Sequence, residues 1–265
     1  MRISEFETVD AATSPDALIA YLEVANALPA LRRAKAALLE LLRLRPGQTV
    51  LDAGCGYGQG SAELAALVGR GGQAVGVDTS QAMLGEARRR TANLVHRPAF
   101  QLADVADLPF SDASFDACRA ETLLQHLRDP RQAVAELARV TRSGGRVALL
   151  EFDLGTVFLD HADRATTRQV LDALADDAAQ GWMGRQLPRL LTSSDLVDMV
   201  VRPQVVLTGL EFFQQLLAVP ASQLRASGAV PAGQLDAWWA ELGQADANGC
   251  FFGGATAFVA AATKP

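Results

Sequence analysis

The segment LDAGCGYGQG, Leu51 to Gly60, carries glycines at 54, 56, 58 and 60 immediately after a short apolar run. Residues without a Cβ let a backbone turn tightly and approach a ligand closely, and a helix starting beyond them presents free N–H groups and a positive dipole end. The spacing is G-x-G-x-G and not the dinucleotide pattern G-x-G-x-x-G, because Gln59 stands where the third glycine would fall. Asp52 lies two residues before the first glycine. A carboxylate there would oppose a pyrophosphate and welcome an ammonium. Asp78 follows Gly58 by 20 residues, at the end of the next apolar run. There a carboxylate can accept hydrogen bonds from both hydroxyls of a ribose. The three features together call for a nucleoside with a positive charge and no phosphate.

These residues need a scaffold, and the apolar pattern supplies one. Two amphipathic helices fill about 16–45, broken near Pro29 and ended by Pro46 and Gly47. Short strands follow at 49–51, 74–78, 100–104, 115–120 and 146–152, with helices expected at 61–68, 80–90 and 131–141 between them. Strands alternating with helices predict an α/β fold, a Rossmann-like and mostly parallel sheet with helices on both faces. Ligands on such sheets sit beyond the carboxyl ends of the strands. Asp52, Asp78, Asp104, Glu121 and Glu151 all fall at or just past expected strand ends, so five carboxylates are expected on one rim. Further on, helices are expected at 161–180 and 187–199, a sixth strand at 205–208, a helical insertion over 211–247 and a seventh strand at 255–262. Residues 1 to about 15 read as loosely held.

The chain has 265 residues, 49% of them hydrophobic and 20% charged, the profile of a globular protein. A formal net charge of -6 disfavours nucleic acid as a partner. Arg88, Arg89 and Arg90 form the one basic run, which suits the negative end of a helix. Cys55, Cys118 and Cys250 are too scattered for a disulfide framework or a zinc site and fit a reducing cytoplasm. MRISEFETVD does not read as a signal peptide, and no apolar run is long enough to span a membrane. The expected partner is a small molecule, and the oligomeric state stays open, a homodimer included.

S-adenosylmethionine is the common cofactor with a ribose, an ammonium and no phosphate. At the same residues the chain resembles the class I (Rossmann-like) S-adenosylmethionine-dependent methyltransferases of the ubiquinone/menaquinone-biosynthesis (UbiE-like) type. VLDAGCGYG, GVDTSQAML and DVADLPFSDASFD match the first three motifs in order and spacing. LLQHLRDP and RVTRSGGRVALLEFD match the segments around the fourth and fifth strands. The resemblance is specific over about 46–153. It implies a seven-stranded sheet with the last strand antiparallel, and a single domain over 1–265. The core over 46–153 would bind the cofactor, and a helical cover from 1–45, 154–200 and 211–250 would bind the acceptor.

The resemblance also implies roles for individual residues. Asp52, Gly54, Gly56 and Gly58 would hold the methionine portion, and Asp78 and Thr79 the ribose. Met83 would lie against the adenine. Asp104 would accept from the adenine amino group, and the Val105 N–H would donate to a ring nitrogen. Ala120 and Glu121 would face the methionine near the sulfonium.

Methyl transfer is an in-line displacement at an activated carbon, which needs alignment, exclusion of water and sometimes removal of a proton. His126, shortly after the fourth strand, is the first candidate for a base or a substrate contact, ahead of His161 and Tyr21. The three histidines lack metal-ligand spacing, so no metal is expected. Leu, Phe and Trp residues in the cover, Phe212, Phe213, Trp238 and Trp239 among them, point to an apolar pocket or to packing of the insertion. The expected activity is methylation of a small molecule in bacterial secondary or quinone-type metabolism. The competing readings are a cofactor-binding protein of this fold that catalyses cyclisation or decarboxylation, a nicotinamide oxidoreductase, and a non-catalytic interaction protein. Gln59 and Asp52 oppose the second of these, and the acidic rim opposes the third.

Overall fold

The computed structural model describes Phe6, residues 9–11 and residues 15–265. The expectation of a loosely held start lies, apart from Phe6 and 9–11, outside the described residues. α1 (Pro15–Ala27) and α2 (Pro29–Leu42) meet at Leu28. Pro29 opens α2 because its missing N–H costs nothing at a helix start. One side of α2 buries Leu31, Ala34, Lys35, Leu38, Leu41 and Leu42.

Beyond Gly47 the apolar period changes and strands alternate with helices. β1 (Thr49–Ala53), α3 (Gln59–Val68), β2 (Gln73–Asp78), α4 (Gln81–Thr91) and β3 (Ala99–Leu102) come first. β4 (Phe115–Glu121), a 3-10 turn at Leu124–His126, α5 (Pro130–Val140) and β5 (Thr141–Leu159) follow. The chain ends with α6 (Arg164–Asp177), α7 (Met183–Ser193), β6 (Val197–Leu207), α8 (Leu210–Ser227), α9 (Ala232–Ala247) and β7 (Gly253–Thr263).

The strands form one seven-stranded sheet in the order β3-β2-β1-β4-β5-β7-β6. β1 to β5 pair in parallel, and β7 runs antiparallel to both β5 and β6. β2 and β3 wind away on one side of β1, and β4 returns on the other. The switch leaves a crevice over the carboxyl ends of β1 and β4. Strands buried on both faces hold the sheet. Val50, Ala74, Ala117 and Ala148 pack with α2 and α3, while Leu51, Cys118, Val147 and Leu149 pack with α5 and α7. A separate apolar cluster joins α6, α8 and α9 to Leu154 and Val157.

Several boundaries differ from the sequence expectation. β5 was expected over 146–152 and extends from Thr141 to Leu159 through a register shift between Asp153 and Phe158. Thr156 fills that irregularity, its hydroxyl donating to the Asp153 carbonyl at 2.7 Å and accepting from the Thr256 N–H at 2.9 Å. The helix expected over 187–199 is α7 at Met183–Ser193, and residues from Val197 on belong to β6. Asp195, with φ 56°, and Asp198, with φ 49°, turn the chain away from helix, and the valines of β6 then pair with β7. The sixth strand is therefore far longer than 205–208. β3 stops at Leu102, which leaves Asp104 in a turn, and the polar helix expected over 161–180 is trimmed to Arg164–Asp177. Among the described residues no helix is long and apolar enough to cross a membrane.

Candidate functional site

The turn after β1 brings a backbone N–H to a carboxylate. Gly56 has φ 51°, a left-handed conformation that costs a glycine little, and its N–H donates to Asp78 Oδ2 at 2.9 Å. The other Asp78 oxygen accepts from the Ser80 N–H at 2.9 Å. A carboxylate has lone pairs for about four such bonds, so Asp78 keeps acceptor capacity at the end of β2. Burial holds its carboxyl above the usual carboxylate range, against the pull of these N–H donors. Ser80 caps α4 by accepting from the Met83 N–H at 3.1 Å.

A cavity of about 280 Å³ opens over this turn, beyond the carboxyl ends of the central strands. Asp52, Gly54, Gly56, Asp78, Thr79, Met83, Asp104, Val105 and Glu121 line one part of it, and His126 also reaches its wall. Met83 is buried and Thr79 exposed. Asp104 does two things at once, lining the mouth and accepting from the Ala106 N–H at 2.9 Å. Gly58 and Ala120 are placed elsewhere. A Cβ on Gly58 would come within 2.8 Å of Ala87 and Phe100, so this glycine seats the loop against α4 and β3. The Ala120 side chain is fully buried in the core that faces α5 and α7.

Four of the five expected rim carboxylates meet at the cavity, and the fifth does not. Glu151 lies inside β5, fully buried. It accepts from the N–H groups of Leu123 at 2.9 Å, Leu124 at 2.7 Å and Gln125 at 3.4 Å. Its role is to hold the 3-10 turn that carries His126. Burial pushes its carboxyl up to about 8. The sequence placed Glu151 at a strand end because the length of β5 was not legible there.

Two cations at the cavity escaped the sequence reading. Arg119 sits in mid-strand on β4, paired across the sheet with Asp52 of β1. Its Nε donates to Asp52 Oδ1 at 2.8 Å, and the Ser61 hydroxyl donates to Asp52 Oδ2 at 2.6 Å. Burial opposes the guanidinium charge, but Asp52 and Glu121 reverse the effect and hold it firmly protonated. Removing one partner of such a buried pair costs on the order of 3–5 kcal/mol. Lys35 of α2 reaches Glu121 Oε1 at 2.5 Å. The available signals were weak: a charged residue inside the apolar strand FDACRAE, and a lysine on the apolar stripe of α2.

The other part of the cavity is apolar. Leu22, Phe152, Leu154, Val157, Val206 and Ala255 contribute, with Phe212, Phe213 and Leu216 from α8. Aromatic rings cross it in sequence. Phe212 stacks on Tyr21 at 5.6 Å, Tyr21 lies 6.1 Å from Phe6, and Phe6 lies 5.4 Å from the His126 ring. Burial raises the Tyr21 hydroxyl pKa, so it stays protonated. Burial also lowers His126 to about 4, which keeps its imidazole neutral. The His126 Nε2 stands 3.2 Å from the Gln125 side-chain amide, while its Nδ1 is buried without a hydrogen-bond partner among the described residues. Trp238 and Trp239 pack edge to face within the insertion, and His161 packs on Trp238, so none of these three lines the cavity.

The N-terminal 3-10 turn closes the site from above. Asp10 accepts from the Ser80 hydroxyl and from the N–H groups of Gln81 at 2.8 Å and Ala82 at 3.2 Å, while Val9 packs with Met83, Tyr57, Leu18 and Ile19.

Comparison with known proteins agrees with this geometry. A methyltransferase-domain family model matches residues 51–149. An uncharacterized 37.1 kDa protein in transposon Tn4556 of Streptomyces fradiae is 38% identical over 253 residues, covering 92% of this chain and 70% of that protein. The demethylmenaquinone methyltransferase of Desulfitobacterium hafniense is 37% identical over 115 residues, covering 43% of this chain and 46% of that enzyme. The chain belongs to the class I S-adenosylmethionine-dependent methyltransferases. This methyltransferase matches the named enzyme over less than half of that enzyme's own length, and the family model's match, residues 51–149, spans the glycine turn with Asp52, Asp78, Asp104 and Glu121. The fold extends further. The Bacillus subtilis YcgJ protein superimposes with a TM-score of 0.62 at 18% identity, covering 88% of this chain and 98% of that one. S-adenosylmethionine is the cofactor of the family, and the residues present fit it. Asp78 keeps free acceptor capacity for a sugar, Gly56 has nothing within 4 Å of where a Cβ would stand, and among the described residues the cations at the cavity, Lys35 and Arg119, are each paired with a carboxylate.

Proposed function

We propose that this chain transfers a methyl group from S-adenosylmethionine to a small, uncharged and largely apolar acceptor. One observation carries the reading: a single cavity joins a rim of carboxylates to an apolar chamber, and the two cations described at it, Lys35 and Arg119, are already paired with Glu121 and Asp52. The residues of 46–153 hold the cofactor, with Asp78 and Thr79 at the ribose and Met83, Asp104 and Val105 around the adenine. Glu121 and the glycine turn take the amino-acid end. α1, α2, the tail of β5 and the start of α8 enclose the acceptor. A charged acceptor would lose its hydration here without gaining a partner, whereas an apolar one gains from burial.

When bound, the cofactor supplies a methyl carbon activated by the adjacent positive sulfur. The chain's contribution is alignment of the acceptor along that bond and exclusion of water by the ring sequence from Phe212 to Phe6. His126 orients the acceptor's reacting group and takes its proton at Nδ1. For that, Nε2 must carry the hydrogen, and Gln125 provides the means. Its amide oxygen is itself buried without a partner, and turned toward Nε2 it would accept that hydrogen.

The test combines binding and transfer. S-adenosylhomocysteine should bind in titration calorimetry. With methyl-labelled cofactor, label should pass to neutral hydroxylated aromatic or polyketide-like compounds in preference to their carboxylated or phosphorylated counterparts. Failure to bind S-adenosylhomocysteine, or preferential labelling of the charged set, refutes the reading.

A further inference from the structure

Two hydroxyl side chains stand at the apolar chamber, Thr208 after β6 and Tyr21 on α1. They differ in what they offer a ligand. Thr208 Oγ1 is sealed within the protein without a partner, so nothing in the chamber reaches it. Tyr21 Oη also has no hydrogen-bond partner among the described residues, and burial alone raises its pKa. Oη is not one of the sealed atoms, so it keeps free surface at the cavity that its residue lines. A buried tyrosine hydroxyl ordinarily finds a partner, because without one it forfeits the hydration it gave up. Here that partner has to come from the occupant of the chamber.

Neighbouring rings fix where the hydroxyl points. Phe212 stacks on Tyr21 at 5.6 Å with the planes 24° apart, and Phe6 lies 6.1 Å from it. The phenol cannot swing without losing these contacts, so its proton is offered at one place. Phe6 also meets the His126 ring at 5.4 Å, so Tyr21 and His126 stand one ring apart along the same wall. A scaffold of two or three rings with its reacting group at His126 therefore brings its far end to Tyr21. Charge decides the kind of group found there. The phenol stays protonated and donates. A carboxylate or phosphate would bring a charge to a cavity whose cations, Lys35 and Arg119, are already paired. A carbonyl brings lone pairs and no charge.

We infer that Tyr21 Oη donates a hydrogen bond to a neutral carbonyl oxygen of the acceptor, remote from the group that is methylated. The substrate class is then a multi-ring aromatic ketone or lactone with a free hydroxyl at its other end. The inference rests on the apolar-acceptor reading above and deepens it. Burial alone does not tell one neutral acceptor from another, whereas a buried donor discriminates against a molecule that leaves it unpaired.

The probes are 4′-hydroxyflavanone and 4′-hydroxyflavan, which share a hydroxylated ring and differ in a C4 carbonyl against a methylene. Titration calorimetry on the protein saturated with S-adenosylhomocysteine should show the ketone bound about fivefold or more tightly. Tyr21→Phe keeps the ring stack and removes only the oxygen, so it should bind the two probes equally and S-adenosylhomocysteine as before. Infrared spectra with an isotope-labelled C4 carbonyl read the bond directly. The stretching band of the bound ketone should lie at lower wavenumber in the unsubstituted protein than in Tyr21→Phe. Should that variant not fold, the band of the bound ketone is compared with its band in a dry apolar solvent, and the same downward shift is expected. Equal affinity of the unsubstituted protein for the two probes, or an unshifted band, would overturn the inference and leave the apolar-acceptor reading standing. Binding of neither probe to the loaded protein would overturn that reading, and the role of Tyr21 with it.

Discussion

The ring of Phe6 lies 5.4 Å from the imidazole of His126, tilted by 39°. A residue at the start of the chain thus helps keep water from a residue after β4. Burial lowers the His126 imidazole from its ordinary 6.5 to about 4, and the Phe6 ring is part of that cover. Phe6→Ala should move the imidazole pKa upward, toward 6.5. An NMR titration of the His126 ring protons reads it directly, and an unmoved pKa would place the desolvation elsewhere.

His126→Ala should leave S-adenosylhomocysteine affinity unchanged and slow turnover, because the residue is proposed to act on the acceptor. Turnover equal to the unsubstituted enzyme would remove His126 from the chemistry. The pH profile adds a second check. An exposed histidine base would lose activity as pH falls through about 6.5. His126, depressed to about 4, remains neutral well below that, so kcat/KM should show no histidine limb between about pH 5.5 and 7.5.

Asp78 both faces the cavity and tethers Gly56 and Ser80. Asp78→Ala should weaken S-adenosylhomocysteine at least tenfold, about 1.4 kcal/mol or more. Calorimetry on a variant with an unchanged circular dichroism spectrum checks it, and retained affinity would refute the ribose assignment.

Glu151 gives the fold a pH signature. Burial raises its carboxyl from 4.5 to about 8 in the folded chain. Between those values the folded chain holds a proton that the unfolded chain releases. The stabilisation is full below 4.5 and declines as pH rises toward 8. Glu151→Gln has no proton to lose, so its Tm should gain on the unsubstituted protein as pH rises from about 5 to about 8.5. Thermal melts at the two pH values test this, and a constant difference in Tm would contradict it.

The sheet and most of the rim were legible because their signals are local. Glycine and aspartate punctuate the apolar runs at β1 and β2, and each run is short enough to be read alone. Arg119 was not legible as a site residue because its meaning depends on register: it acts at the cavity only because β4 places it opposite Asp52 on β1, 67 residues earlier in the chain. Lys35 likewise depends on where α2 lands. β6 was misread at its start because its strand character comes from pairing with β7, more than fifty residues further on. Glu151 was misplaced because the irregularity at Asp153 lets β5 continue where the apolar run suggested an end. In each case the missing information was a partner distant in sequence.

Ser80 has two owners. Its main-chain N–H belongs to Asp78 and its hydroxyl to Asp10. One serine therefore ties the carboxylate proposed for the sugar to the N-terminal turn over the cavity. Damage to either carboxylate is felt at the other, so losses from changing Asp10 and Asp78 together should not sum. An opening of that turn to admit an acceptor would also slacken the proposed hold on the sugar, which favours an order of entry in which the nucleoside is seated first.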